Sequence, residues 1–300
     1  MAAVPQIFDR ALVRARLARA LAHGYEPFLV DRVAGDAIDR LSTVSRTFSH
    51  ALDLGTPISS FAEALKASGR ITHVTRAAPA FAPRREAQDF AEVVANEEAP
   101  PFATGAFDLA VSLLALHAIN DLPGALSQIR RALKPDGLFL AALFGGATLT
   151  ELRQALVAAE TEIAGGASPR VAPFADVRDL GSLLQRAGFA LPVTDIDRAT
   201  VRYADLFALM RDLRRMGLTN ALIERSRKPV TRALLFRAAA IYHERFADPD
   251  GRIRATFDLI WLSGWAPHES QQKPLRPGSA KARLADALGA AERSAGEKAG

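Results

Sequence analysis

Asp53-Leu54-Gly55 is a short motif whose residue types and position could bind a ligand. It ends an apolar stretch, Ser49 to Leu54, that is typical of a buried strand, and a helix is predicted to follow from Ser59 to Ser68. A glycine at such a junction lets backbone N–H groups approach a ligand at the N-terminus of a helix. The motif therefore predicts a cofactor site that includes Asp53 and Gly55.

His117 is the second candidate for chemistry, because it follows a long apolar run. A histidine in that position is either a packed residue at the rim of the core or a group that contacts substrate or transfers a proton, and the sequence leaves both open. His268-Glu269 predicts no metal site, since adjacent side chains on a strand point in opposite directions. The chain has no cysteine, which excludes disulfides, a thiolate nucleophile and a cysteine zinc site.

The stretch from Phe107 to Gly146 must position these candidates. Apolar runs at Phe107 to Leu113 and Leu138 to Leu143 predict two buried strands, and four leucine or isoleucine residues between them recur at helical spacing: Leu122, Leu126, Ile129 and Leu133. Two buried strands joined by a helix form a right-handed parallel crossover. Lys134-Pro135-Asp136-Gly137 predicts the end of that helix and a turn. The fold class is therefore α/β.

Ligands in open parallel sheets bind beyond the carboxyl ends of the strands, which points to Leu113 to Asn120 and Phe144 to Thr148. Thr148 and Glu151 have the spacing of a capping box for the next helix. The same patterning predicts further strands at 70–75, 92–95, 190–196 and 253–262, and helices at 8–23, 25–44, 148–163, 176–187, 203–215 and 220–246.

Composition narrows the class of protein. The chain has 300 residues, 49% of them hydrophobic and 24% charged, which is typical of a globular protein with a sizeable core. No apolar run is long enough to span a membrane, although peripheral association with one stays open. The net charge is +5 and the pI is near 9.9, but arginine is spread through helices without an aromatic-interleaved basic patch, so nucleic-acid binding is not predicted. The composition predicts a cytoplasmic protein.

Phe8 to His23 is rich in arginine and poor in acids, like a mitochondrial presequence. It also carries an apolar stripe, Leu12, Leu17 and Leu21, that is typical of a docked surface helix.

Several motifs together resemble one known family. They are FDR and ALDLG near the start, FDLAVSLLALHAINDLPGAL and LKPDGLF in the middle, then FGGATLTELRQAL, AGGASPRVAPFADVRDLGSLLQRAGF, GWAPHESQ and PGSA. The chain, from about Ile7 to Ala280, resembles the complex I assembly factor branch, of protein-arginine hydroxylase type, of the class I S-adenosylmethionine-dependent methyltransferases. It is also similar to the malonyl-carrier-protein methyltransferase of biotin synthesis. The resemblance implies a Rossmann-like, seven-stranded sheet with an antiparallel last strand, and it favours the docked N-terminal helix, with any presequence upstream.

The resemblance also implies where S-adenosylmethionine would bind and where this chain departs from the family. The glycine-rich loop of the family follows Asp53 and Gly55, but here Pro57 and Ser59 replace its second and third glycines, and proline has no N–H to donate. The family's ribose-binding acid corresponds to Thr75, which cannot accept two charge-assisted hydrogen bonds. On the adenine side the resemblance implies Asn96, Glu97 and Leu113. These departures predict weak binding of S-adenosylmethionine.

Three functions follow from the resemblance. The leading one is an assembly factor with a degenerate cofactor loop that acts on or binds a subunit of a respiratory complex. The alternatives are an active methyltransferase on a small-molecule or carrier-bound acid, and a non-catalytic assembly chaperone. The predicted organisation comprises N-terminal helices (1–45), a methyltransferase-like core (46–198), a helical insertion lobe (199–250), a strand region that completes the core (251–280) and a disordered tail (281–300).

Overall fold

The computed structural model describes residues 5–83 and 88–271. The chain divides into two compact units, residues 1–267 and residues 268–300. The first unit contains one seven-stranded sheet: β1 (Phe48–Leu54), β2 (Ile71–Ala78), β3 (Ala91–Val94), β4 (Phe107–Leu113), β5 (Leu133–Phe144), β6 (Ala190–Tyr203) and β7 (Ile253–Trp265). The strand order is β3-β2-β1-β4-β5-β7-β6, and β7 is antiparallel to both of its neighbours. The predicted sheet is confirmed.

Eight α-helices in the described part of the chain cover the two faces of this sheet: α1 (Arg10–Ala22), α2 (Phe28–Ser42), α3 (Ser60–Ala67), α4 (Leu122–Ala132), α5 (Thr150–Ala164), α6 (Val177–Arg186), α7 (Leu206–Arg215) and α8 (Arg232–Phe246). One apolar core forms where α2, α3, α5, α7 and α8 pack on the sheet. The other forms beneath α4 and α6. Both faces are thus buried, which is why β4 and the 138–144 part of β5 consist mostly of apolar residues.

The predicted crossover is confirmed, but its turn is different. β5 pairs with β4 in parallel from Leu133, and the register shifts between Phe107 and Leu109, where the partner residue moves from Leu133 to Leu138. The expected turn at 134–137 is therefore an irregularity within β5, and Asp136 in it has a φ of 62°. Its proline and glycine interrupt the strand pairing without ending the strand.

Three other predicted boundaries were wrong. β6 continues to Tyr203, seven residues beyond the predicted end at 196, because it pairs with β7 along this length. β2 continues to Ala78, three residues beyond the predicted end at Thr75, because its last residues pair with β1 and β3. α8 begins at Arg232, far beyond the predicted start at Asn220, since Pro229 precedes it and Leu222 instead forms an antiparallel bridge with Phe8.

The predicted capping box at the start of α5 does not form. The Thr148 hydroxyl donates to the backbone carbonyl of Asp258 at 3.2 Å, and Glu151 accepts hydrogen bonds from the backbone N–H and the hydroxyl of Thr256. Leu149, at a φ of 55°, precedes the helix without a side-chain cap. These two polar residues therefore tie the helix to β7 instead of capping it.

Within residues 5–83 and 88–271, no helix is both long and apolar enough to cross a membrane. The PGSA motif at 277–280, the end of the predicted 251–280 strand region and the predicted tail at 281–300 lie outside the described residues.

Candidate functional site

A narrow cleft lies at the carboxyl ends of β1 and β4, where the sequence predicts a ligand site. We call it the β1 cleft, and its walls at the strand ends are formed by Gly55, Pro57, Pro79, Glu97, Leu114 and Ala115. Its volume is about 60 Å³. Small-molecule sites commonly have roughly 300 to 1,000 Å³. The cleft is in the predicted place but is nearly filled by protein atoms.

The loop after β1 is packed closely against the opposite wall. Gly55 has a φ of 80°, and a Cβ placed on it would lie 2.6 Å from the Cβ of Ala115 and 3.2 Å from the Cγ of Glu97. Its N–H is already used, since it donates to the carbonyl of Ala77 at 2.7 Å. Pro57 has no N–H. This part of the loop therefore directs few free donors into the cleft.

Beneath the loop, Arg76 forms a buried network that the sequence did not predict. Its Nε lies 3.2 Å from Asp53 Oδ2, its Nη1 lies 2.8 Å from Glu92 Oε1, and its Nη2 donates to the Thr56 carbonyl at 2.9 Å. The side chains of Arg76 and Asp53 are 4% and 0% exposed. Burial raises the pKa of Asp53 to about 6, although the positive charge of Arg76 opposes that rise. Arg76 is the single charged residue in the otherwise apolar end of β2. That exception is the sequence feature from which the network could have been predicted.

Two predicted site residues lie away from the cleft. Thr75 pairs with Leu52 in the middle of the sheet, and among the described residues it is Pro79, beyond the end of β2, that lines the cleft from this strand. Leu113 is fully buried and donates its N–H to the Thr56 hydroxyl at 3.3 Å, while the next residue, Leu114, lines the cleft. Thr75 as the ribose-side residue stays a prediction, and β2 runs three residues further than predicted.

Glu97 does line the cleft, where it and the neighbouring Asn96 contact Arg10 of α1. The Glu97 carboxylate forms a salt bridge with Arg10, whose Nη1 also donates to the Ala118 carbonyl at 2.7 Å. Asn96 Oδ1 accepts from the N–H of Glu98 at 3.1 Å and lies 3.5 Å from Arg10 Nη2. Burial raises the pKa of Glu97, and the adjacent guanidinium opposes the shift. The predicted adenine side thus binds a guanidinium.

His117 lies in a short 3-10 helix, Leu116–Ala118, after β4. Its ring packs against Phe144, with ring centroids 4.6 Å apart, and Nδ1 is buried with no hydrogen-bond partner among the described residues. Burial lowers the pKa of His117 to about 3, and the charge of Arg10 adds to that effect. The ring is therefore neutral at physiological pH. Either predicted role of His117, packing or contact with substrate, is compatible with this position.

A second and larger cavity lies on the other side of His117. We call it the apolar cavity; its volume is about 360 Å³, and its walls are mostly leucine, phenylalanine and valine side chains. His117, Ala118 and Phe144 line both the apolar cavity and the β1 cleft. Phe8, just before α1, lies in the wall of the apolar cavity, and Arg10, the first residue of α1, lies in the wall of the β1 cleft.

Comparison with known proteins identifies the family. The methyltransferase domain family matches residues 25–192. The mitochondrial arginine-hydroxylase NDUFAF5 of Danio rerio is 41% identical over 286 residues, which cover 93% of this chain and 89% of that protein. Its Homo sapiens counterpart is 42% identical over 281 residues, 91% of this chain and 81% of that protein. The chain belongs to the NDUFAF5 arginine-hydroxylase family.

The wider superfamily is equally clear. A malonyl-[acyl-carrier protein] O-methyltransferase from Laribacter hongkongensis is 32% identical over 286 residues, 90% of this chain and 94% of that enzyme. A solved structure of a methyltransferase from Bacillus halodurans matches with a TM-score of 0.52 at 17% identity. The match covers 78% of this chain and 98% of the chain of that protein. The resemblance predicted from the motifs is confirmed, and this NDUFAF5-family chain has the methyltransferase fold.

Family membership corrects the predicted location. The NDUFAF5 proteins of Danio rerio, Homo sapiens and Rattus norvegicus are mitochondrial, so the prediction of a cytoplasmic protein is wrong. Composition did not determine the compartment, because charge and hydropathy of this kind are common to globular proteins in general.

Methyltransferase domains take their methyl group from S-adenosylmethionine, so the match supports that compound as the general ligand class of the NDUFAF5-family fold. Within the described ranges, no three histidine, aspartate or glutamate side chains are grouped to hold a metal ion.

Proposed function

We propose that this chain is an assembly factor that binds, or acts on, an arginine-bearing protein partner, a subunit of respiratory complex I, and that its β1 cleft does not bind S-adenosylmethionine in the manner of the fold. The arginine hydroxylases match the chain at 41 to 42% identity, against 32% for the carrier-protein methyltransferase, which points to an arginine as the group recognised. The observation that carries the proposal is the Arg10 guanidinium on Glu97. The cleft holds the chemical group that the relatives modify.

The residues of the cleft do not fit S-adenosylmethionine. Arg10 occupies the adenine side, Gly55 contacts Ala115 and Glu97 closely, and Pro57 offers no donor to the methionine carboxylate. Thr75, to which the family's ribose-binding acid corresponds by resemblance, is neutral and lies within the sheet, and Pro79 lines the cleft beyond β2. A carboxylate at the cleft would form charge-assisted hydrogen bonds of roughly 1.5 to 3 kcal/mol each, and neither of these residues supplies one. These features together support a cleft adapted to a guanidinium.

Titration with S-adenosylmethionine tests the cofactor half of the proposal. We expect neither calorimetric heat nor a shift in Tm for the natural chain, whereas a ligand present at about 100 times its Kd stabilises a protein by about 2.7 kcal/mol. Arg10→Ala combined with Pro57→Gly removes the occupying guanidinium and restores a donor, so this variant gains affinity. Arg14→Ala, on an exposed position of the same helix, is the matched control and gains none.

Micromolar binding of S-adenosylmethionine by the natural chain would contradict the closed cleft and favour the alternative of an active methyltransferase. Unchanged binding in the opened variant would show that the ligand site has been misplaced.

Chemical cross-linking in the native cells tests the partner half. After purification through a tag on the chain, we expect a respiratory complex I subunit cross-linked to it, with the cross-link near the β1 cleft. The tag expressed alone is the control. If no complex I subunit is recovered above that control, the partner is wrong.

A further inference from the structure

The segment just before α1 is held as an extended peptide by one asparagine side chain. Asn120 Oδ1 accepts from the backbone N–H groups of Ile7 and Phe8, both at 2.8 Å, and its Nδ2 donates to the Phe8 carbonyl at 3.1 Å. The same amide nitrogen donates to Gln6 Oε1 at 3.1 Å. Three of these four bonds go to main-chain atoms, so the clamp recognises an extended backbone whatever its sequence.

On its other side the segment pairs with a second stretch of chain. Phe8 and Leu222 form an antiparallel bridge, Asp9 donates its N–H to the Ala221 carbonyl at 2.9 Å, and Ile223 donates its N–H to the Ile7 carbonyl at 2.9 Å. This is the hydrogen-bond pattern by which proteins add a peptide as an extra strand. The main chain of residues 7–9 is thus bound from both sides, as in a peptide-binding groove.

Phe8 of the segment and Arg10, the first residue of α1, each place a side chain in a pocket. Phe8 is 7% exposed and lies in the wall of the apolar cavity, whereas Ile7 is 42% exposed. Arg10 reaches the Glu97 carboxylate and the Ala118 carbonyl. The groove therefore recognises an aromatic residue that is followed, two positions later, by an arginine. The residue before the aromatic stays in solvent.

The helix that follows is held by few apolar contacts. Of the thirteen residues of α1, only Ala20 and Leu21 are buried against the described part of the chain. Arg16 adds hydrogen bonds to the carbonyls of Thr219 and Asn220. An element with so little buried apolar surface opens more readily than the core. The segment can therefore leave its groove without unfolding the sheet.

We propose that the groove between Asn120 and residues 221–223, ending at Glu97, is the binding site for a partner segment that is extended at an aromatic residue and has an arginine two positions later. Residues 6–10 of this chain occupy it until the partner displaces them. The inference deepens the proposed function, on which its arginine-bearing partner rests, by naming the segment recognised and the site that takes it.

The test uses the full chain with Phe8→Ala and Arg10→Ala, which empties both pockets. The probe is a fluorescein-labelled synthetic peptide of residues 5–14, and fluorescence anisotropy measures its binding. We expect the double variant to bind this peptide about tenfold or more tightly than the natural chain, because its own segment no longer competes. A peptide with glutamine only at the position of Arg10, and the double variant with added Glu97→Gln, should each lose about tenfold in affinity.

Absence of binding by a folded double variant, or equal binding of the arginine and glutamine peptides, would overturn the inference. If circular dichroism shows that the double variant is unfolded, hydrogen exchange on the natural chain decides instead. Excess peptide should then speed exchange of the Phe8 and Asp9 amides, and unchanged protection rejects the site. A complex I subunit recovered by cross-linking together with a negative peptide result would reject this inference and leave the proposed function standing.

Discussion

Replacing Arg76 by methionine lowers the free energy of unfolding by about 3 to 5 kcal/mol, because it leaves the buried Asp53 carboxylate without its cation. Arg76 and Asp53 have almost no exposed side-chain surface, and Glu92 is 8% exposed. Methionine keeps much of the side-chain volume of arginine. The loss in free energy of unfolding therefore reflects the missing charge pair more than a cavity. Urea unfolding at pH 7, followed by circular dichroism, measures the change.

Two further variants separate this cause from a general effect of losing an arginine. Arg32→Met removes an arginine that is 48% exposed and pairs with Asp197 on the surface, and it should cost no more than about 1 kcal/mol. Asp53→Asn combined with Arg76→Met removes one orphaned charge, so it should lose less stability than Arg76→Met alone. A cost below about 1 kcal/mol for Arg76→Met would show that the network contributes little.

Replacing His117 by leucine flattens the loss of stability in acid. The folded pKa of His117 is about 3, against an ordinary value of 6.5, so the unfolded chain binds a proton in this range that the folded chain does not. The stabilisation from a neutral His117 is therefore complete above pH 6.5 and is lost as pH falls toward 3, by about 1.4 kcal/mol per pH unit. Leucine cannot titrate, and that part of the slope disappears.

Comparing urea unfolding at pH 6.5 and pH 4.5 measures this slope, because contributions from other groups are shared by both proteins. His243→Gln, at an exposed position of α8, is the matched control and should keep the slope of the natural chain. Parallel pH profiles for the natural chain and His117→Leu would mean that the ring is hydrated or already paired.

The neutral state of His117 bears on function because the ring lies between the apolar cavity and the β1 cleft. An imidazole that stays neutral at physiological pH can donate or accept one hydrogen bond at its buried Nδ1, but it cannot act as a cation there. A partner segment bound in the groove would place its aromatic residue on the apolar side of this ring and its arginine on the other. The aromatic residue and the arginine of the partner are therefore recognised in separate parts of the site.

Much of the sheet could be predicted from local sequence. The apolar runs of β1, β4 and β5 and the helical spacing of α4 are visible within a few residues, because a buried strand and an amphipathic helix each impose their own period on the chain. The position of Gly55 at the end of β1 follows from the same reasoning. The end of β2 could not be predicted, because Arg76 interrupts its apolar pattern and is accepted there only through its pairing with Asp53.

By itself, the sequence determined the α/β sheet, its parallel crossover, the place of the ligand site at the strand ends and, through its motifs, the family. Only the tertiary structure decided what fills that site: Arg10 meets Glu97, 87 residues away along the chain, and Asn120 binds the backbone of Phe8, 112 residues away. Periodicity reports which face of an element is buried, whereas the partner of a polar side chain depends on which distant segments the fold brings together.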